Sequence, residues 1–223
     1  MTPDLSAWGG CAIIRPLAGG HRSEPYLVGL GDQLAVARRT DRNLPDLRWL
    51  EKCLAVAARA GLGPPQMIPT LNGQLAYNGW RMEQFIDGTP ATKSDLAALA
   101  TPLRRFHAMG RALPPCRPTL SPLLPPKLHV QLGRLLPTNP VSAIHGDLHP
   151  GNLLRDTKGR LRLIDWDEAR TGPVAFDAMH LRRKSPQERR QRSAVEALEG
   201  WQAEPEYARN LVRRILAQRQ KMG

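Results

Sequence analysis

The apolar positions change period several times along the chain, and the changes mark the elements. Residues 12–16, 26–28 and 34–38 are short, partly β-branched runs separated by glycine-bearing segments, which predicts a three-strand meander. Between residues 45 and 60 the pattern switches. Leu47, Leu50, Leu54, Val56 and Ala57 recur at helical spacing, and the run GLGPP then ends the helix. Two further strands are expected around residues 67–71 and 80–86. Glycine and proline in DGTP at 87–90 interrupt both periods immediately before a new helical run over 93–109.

That interruption predicts two lobes, residues 1–87 and 88–223. Eight prolines between Leu113 and Pro140 leave room there for only one short helix, over 127–135. The rest of the second lobe reads as a loop, a hairpin and C-terminal helices, with no internal repeat and no low-complexity tract.

Composition narrows the class. A chain of 223 residues with 41% hydrophobic residues suffices for a buried core, and no apolar run approaches the roughly 20 residues that span a bilayer. The first 30 residues carry Asp4, Arg15, His21, Arg22 and Glu24 rather than a basic start followed by an apolar stretch, so a cytoplasmic location is expected. Cys11, Cys53 and Cys116 are scattered, which favours free thiols over disulfides or zinc.

The formal net charge of +12 raises a polyanion-binding reading. Residues 181–223 hold 11 basic against 5 acidic residues, hence +6 of that excess, but glutamates are interspersed at helical period. A solvated helical face explains this distribution, and nucleic acid is not the expected partner.

The chemistry concentrates in AIHGDLHPGNLL, residues 143–154, followed by a turn at Lys158 and Gly159 and then LRLIDWDEA. Asn152 stands just before one apolar run and Asp165 at the end of the next, so a hairpin would bring Asp147, Asn152 and Asp165 to one cleft. Carboxylate and amide oxygens suit magnesium, and a separate carboxylate is needed to orient an attacking hydroxyl.

Here the sequence resembles the kinase-like phosphotransferases that include aminoglycoside and choline kinases, whose catalytic loop reads HxDxxxxN. The separations of 5 from Asp147 to Asn152 and 13 from Asn152 to Asp165 agree with it. The resemblance implies an α+β, two-lobed, protein-kinase-like fold: an N-lobe of antiparallel sheet plus one main helix, and a mostly helical C-lobe. It implies ATP and magnesium as cofactors and a small-molecule hydroxyl as acceptor, such as an aminoglycoside, a choline-like amino alcohol or a sugar. Asp147 would be the catalytic base, with Asn152 and Asp165 holding the metal.

By the same resemblance, residues 16–28 look like the phosphate-covering hairpin, with Gly19, Gly20 and Ser23 as contacts. Arg38 stands where the phosphate-pairing lysine is expected, with Glu51 of the following helix as its ion-pair partner. Residues 80–88 look like the strand and hinge that present backbone groups to adenine, giving Glu83, Gln84 and Phe85 that role. Asp177 is the candidate brace of the catalytic loop, against an ordinary first-turn carboxylate. His145 and His107 read as structural and His149 as uncommitted. Asp167 reads as a helix cap, with a metal or a cationic acceptor as alternatives.

The region between the hinge helix and the catalytic loop, where this family recognises its acceptors, is short and proline-rich here, so the acceptor is not transferred. Arginine at position 38 keeps the charge of lysine with a planar head, which leaves a nucleotide-binding pseudokinase as the alternative. A protein kinase is the weaker reading, since no APE-type segment follows the metal aspartate.

Overall fold

The computed structural model describes residues 2–17, 24–116, 125–135, 141–178, 181 and 186–220. The expected meander forms as β1 (Cys11–Pro16), β2 (Tyr26–Leu30) and β3 (Gln33–Arg39), and the sheet is completed by β5 (Trp80–Gln84) and the two-residue β4 (Met67–Ile68). All its pairings are antiparallel, in the order β1-β2-β3-β5-β4. β4 is shorter than its apolar run suggests because Thr70, Gly73 and Gln74 close a turn: Thr70 N–H donates to Gln74 O at 2.8 Å, and Gly73 N–H donates to Thr70 O at 2.9 Å.

Helix α1 (Leu44–Ala60) starts where Asn43 accepts from the Asp46 amide and Pro45 occupies the first turn, and it stops at Gly61 in the left-handed region (φ 92°). Its buried face, led by Trp49, Leu50, Cys53 and Leu54, does not pack mainly on the sheet. It shares one cluster with Leu99, Leu103 and Phe106 and with Leu148, Leu153 and Trp166 from the second half of the chain. The sheet has its own smaller cluster, Val28, Ala35, Ala37, Trp80 and Met82 beneath Leu5 and Trp8. The principal helix of the first half is therefore held by the core of the second, which fixes the site between them.

After β5 the chain leaves the sheet, and β6 (Gly88–Pro90) pairs with β8 (Leu153–Asp156), which in turn pairs with β9 (Leu161–Leu163). A Cβ at Gly88 would lie 2.6 Å from the Arg155 carbonyl oxygen. Gly88→Ala therefore forces β6 off β8 and is expected to cost about 1–3 kcal/mol, read as a lower urea midpoint at unchanged m.

The helical run after DGTP begins as a 3₁₀ turn, Asp95–Leu99, before α2 (Ala100–Gly110). α3 (Pro126–Gly133) is the short helix of the proline-rich connection. β7 (Val141–Ile144) pairs with β10 (Arg170–Pro173), a contact across about thirty residues that local periodicity does not announce. α4 (Ala175–Ala178), α5 (Pro186–Ala203) and α6 (Pro205–Gln220) close the chain, the last two packing with α3 around Leu132, Leu198, Leu211 and Ile215. Among the described residues no helix is long and apolar enough to cross a membrane. Cys11, Cys53 and Cys116 are free thiols.

Candidate active site

The catalytic loop runs from the end of β7 to the start of β8 and is built on one buried carboxylate. Asp177, at the start of α4, accepts from the His145 amide at 2.9 Å and the Gly146 amide at 3.0 Å, and lies 2.9 Å from His107 Nε2 of α2. It is fully buried. Burial works against its ionisation, yet the hydrogen bonds from His107 and from the His145 amide hold its carboxyl below the usual range. The brace reading of Asp177 is the observed geometry, and His107 is its anchor on α2.

Gly146 is required between them. Its φ is +86°, and a Cβ would meet the Glu168 carbonyl oxygen at 2.5 Å.

His145 is buried, with Trp166 edge-on at 4.7 Å. Its Nδ1 accepts from the Asp147 amide at 3.2 Å, so the ring proton sits on Nε2 and is donated to Ile164 O at 3.0 Å. The Ile164 amide in turn donates to Asn152 O at 2.9 Å. Both backbone groups of Ile164 are thereby tied to the catalytic loop, and the next residue, Asp165, is delivered beside it. Asp165 has φ +60°, uncommon for a residue with a side chain and of the kind that surrounding structure must impose.

Asp147 itself is accessible, with 43% of its side chain exposed. Asn152 Nδ2 donates to its carbonyl at 2.9 Å and to Oδ2 at 3.1 Å. His149 accepts from the Gly151 amide at Nδ1, 3.0 Å, which leaves the proton on Nε2, 3.4 Å from the same Oδ2. Neither contact uses Oδ1. Asn152 likewise spends its NH₂ on Asp147 and keeps its amide oxygen for another partner. His149, which the sequence leaves uncommitted, thus stands beside the Asp147 carboxylate.

The opposite wall comes from the sheet. Arg38 Nε donates to Glu83 at 2.8 Å, and its NH1 reaches Asp165 at 3.0 Å and Asp167 at 3.3 Å. Buried Arg81 bonds Glu83 at 2.5 Å and also bonds Asp167. Arg38 is thus placed beside Asp165, but its expected partner Glu51 is not there. Glu51 lies on the exposed face of α1 because the buried stripe Leu50, Cys53, Leu54 turns it outward, and Glu83, on the same sheet face as Arg38, takes the role.

Asp167 is not a helix cap. It is an ion-pair partner of two arginines, and its carboxyl is driven down to about 2 because Arg81 and then Arg38 outweigh its burial.

The backbone of β5 is occupied on both edges. Gln84 N–H donates to Gln66 O at 2.8 Å and Phe85 N–H to Leu34 O at 3.3 Å, and Glu83 sits in register with Val36 and Met67. The amides of Gln84 and Phe85 are therefore bonded within the sheet. Gly19, Gly20 and Ser23 lie outside the described residues.

Around Asp165 three carboxylates, Glu83, Asp165 and Asp167, face two guanidiniums, Arg38 and Arg81. A third guanidinium, Arg42, also bears on Asp167, so the cluster is close to charge balance. Asp165 is the member whose carboxyl is raised, by burial first and then by Asp167 and Glu83 against the pull of Arg38. A cation beside it would favour its ionised form. Among the described residues no three His, Cys, Asp or Glu side chains are arranged to hold a metal. A site of one carboxylate and one amide oxygen, completed by phosphate and water, matches the way magnesium is usually held at nucleotides.

No curated protein matches the sequence. Solved structures do match the fold. Choline kinase LicA from Streptococcus pneumoniae superposes with a TM-score of 0.57 at 13% identity, covering 92% of this chain and 93% of that one. An aminoglycoside phosphotransferase from Alicyclobacillus acidocaldarius gives 0.55 at 14% identity over 100% and 98%. Spectinomycin phosphotransferase in complex with ADP and spectinomycin gives 0.56 at 12% over 91% and 88%. Residues 123–211, which contain the whole catalytic loop and the Asp165 hairpin, match the phosphotransferase enzyme family. The chain thus has the protein-kinase-like fold of the choline and aminoglycoside kinases, and the part of it that carries Asp147, Asn152 and Asp165 is similar in sequence to the phosphotransferase enzyme family.

Proposed function

We propose that the protein is a small-molecule kinase that transfers the terminal phosphoryl group of magnesium-bound ATP to a hydroxyl acceptor. The observation that carries this is the tie of Asn152 to Asp147 and to the residue before Asp165: its side chain holds Asp147 and its carbonyl accepts from the Ile164 amide.

In this reading Asp147 Oδ1, which neither Asn152 nor His149 contacts, accepts the proton of the acceptor hydroxyl as its oxygen attacks the terminal phosphorus and ADP leaves. Asn152 and His149 hold the carboxylate in one orientation. The Asn152 amide oxygen and Asp165 would hold magnesium, which would supply charge neutralisation at the phosphates. Arg38 would turn one guanidinium edge to phosphate while Glu83 retains the other, a division that its fork of five donors permits. That edge, which NH1 spends on Asp165 at 3.0 Å and Asp167 at 3.3 Å, would be released to phosphate, with Arg81 still holding Glu83 and Asp167.

The acceptor belongs to the hydroxyl-bearing class that includes amino alcohols, sugars and aminoglycosides. Aminopropanol kinase and spectinomycin phosphotransferase are among the proteins that share the fold. The test is ATP consumption with magnesium across a panel of choline, aminopropanol, thiamine, sugars and aminoglycosides. Acceptor-dependent turnover is expected. Tight magnesium-ATP binding with no turnover on any acceptor marks a nucleotide-binding pseudokinase instead.

Asp165→Ala removes the carboxylate of the metal pair and leaves Arg38 bound to Glu83. ATP affinity in the variant is expected to become insensitive to magnesium, measured by calorimetry with and without the metal. Equal magnesium dependence in parent and variant would remove Asp165 from the metal site.

A further inference from the structure

A cavity of about 800 Å³ lies between the outward face of α1, the segment from Gly61 to Met67, the end of β5 at Gln84, the start of α2 and the β8–β9 turn. Neither Asp147, Asn152, Asp165 nor Arg38 lines it. Its size falls within the range of pockets that enclose small ligands, roughly 300–1,000 Å³.

The floor is apolar, formed by Leu54, Pro64, Pro65, Met67, Leu99 and Leu161. The walls are fixed rather than apposed by chance. Leu163 N–H donates to Leu62 O at 2.9 Å, and Arg162 Nε donates to Gly63 O at 2.7 Å, so the β8–β9 hairpin is hydrogen-bonded to the end of α1 beneath the cavity. Such a preformed apolar space needs little reorganisation to accept a ligand.

Its charge is polarised. On the hairpin side, Arg160 and Arg162 both bond Asp156 at 3.0 and 3.3 Å, two cations against one carboxylate. Asp156 also accepts the amides of Lys158 and Arg160, and its carboxyl is lowered to about 2, so it stays ionised. One positive charge is left, and Arg160 is its exposed carrier, 62% accessible. Glu51 stands on the α1 wall. That carboxylate disfavours a second anionic group on the ligand.

We propose that this cavity binds a small amphipathic monoanion, an aromatic or aliphatic body seated on the apolar floor with one acidic head at Arg160. The site accounts for Glu51, Ala55 and Ala58, spaced along one exposed stripe of α1 that the phosphotransfer reading leaves without a role. It is independent of that reading, because its test needs neither nucleotide nor turnover.

The experiment uses 8-anilinonaphthalene-1-sulfonate, an aromatic monoanion, and its uncharged parent N-phenyl-1-naphthylamine, titrated by fluorescence into the full chain. Saturable one-to-one binding of the sulfonate is expected. Ala55→Trp and Ala58→Trp, both at exposed positions of α1, fill the space and abolish it while circular dichroism is unchanged. Arg160→Glu weakens the sulfonate by about fivefold or more and leaves the uncharged parent unaffected. Binding that survives both tryptophan variants, absence of saturable binding, or equal sulfonate affinity in Arg160→Glu and the parent each overturn the proposal.

Discussion

Replacing Asp147 with asparagine lowers acceptor-dependent turnover by about 10²- to 10⁴-fold, while the fold and the affinity for magnesium-ATP are retained. The expectation rests on what the substitution keeps. Asparagine has the shape of aspartate and its amide oxygen still accepts from Asn152 Nδ2, now 3.1 Å from Asp147 Oδ2, so the loop stays in place. It cannot take a proton. The loss therefore falls on transfer and not on binding, which single-turnover kinetics and calorimetry separate. Undiminished turnover in the variant would exclude Asp147 as the base.

The second large effect is on stability. Asp177→Ala strips partners from the His145 amide, the Gly146 amide and His107 Nε2 at one stroke, and all three belong to groups packed around a carboxylate with no exposure. Leaving such groups unpaired is expected to cost about 3–5 kcal/mol, read from urea unfolding. Activity falls with it, because Gly146 and His145 are the supports of Asp147.

The pH dependence of this term has a defined sign. Asp177 titrates below its ordinary value in the folded protein, so in acid the unfolded chain binds the extra proton, and stability rises with pH. The contribution is complete above the unfolded aspartate value of about 3.9 and is lost as pH falls through the depressed folded value. Urea midpoints measured from about pH 6 down to about pH 3 should therefore fall more steeply in the parent than in Asp177→Asn. Parallel curves would mean that the folded carboxyl is not depressed.

Asp147, Asn152 and Asp165 are legible because their geometry is nearly local. Five residues of loop and one tight hairpin separate them, and the apolar runs that form β8 and β9 also set the register that aligns them. The Asp177 brace is legible through its resemblance to a family segment, although its three partners lie on α2 and in the catalytic loop. The arginine network is a different case. Arg81 and Glu83 alternate onto one face of β5, a signal present in WRMEQ, but only the pairing of Arg38 with Arg81 and of Val36 with Glu83 brings that face to Arg38.

The strands of the meander, the run of α1 from residue 45 to its stop at GLGPP, and the loop chemistry are written in the residues that carry them, since turns and short-range spacing are local. Tertiary structure decided which carboxylate Arg38 meets. Rotation of α1 about its axis follows from what its buried stripe packs against, and that is the core of the second half of the chain, so Glu51 turns away and Glu83 takes its place. Register between strands and rotation of a helix are global quantities, fixed when distant apolar surfaces are buried together. The same rotation that removes Glu51 from Arg38 places it on the wall of the cavity beside α1.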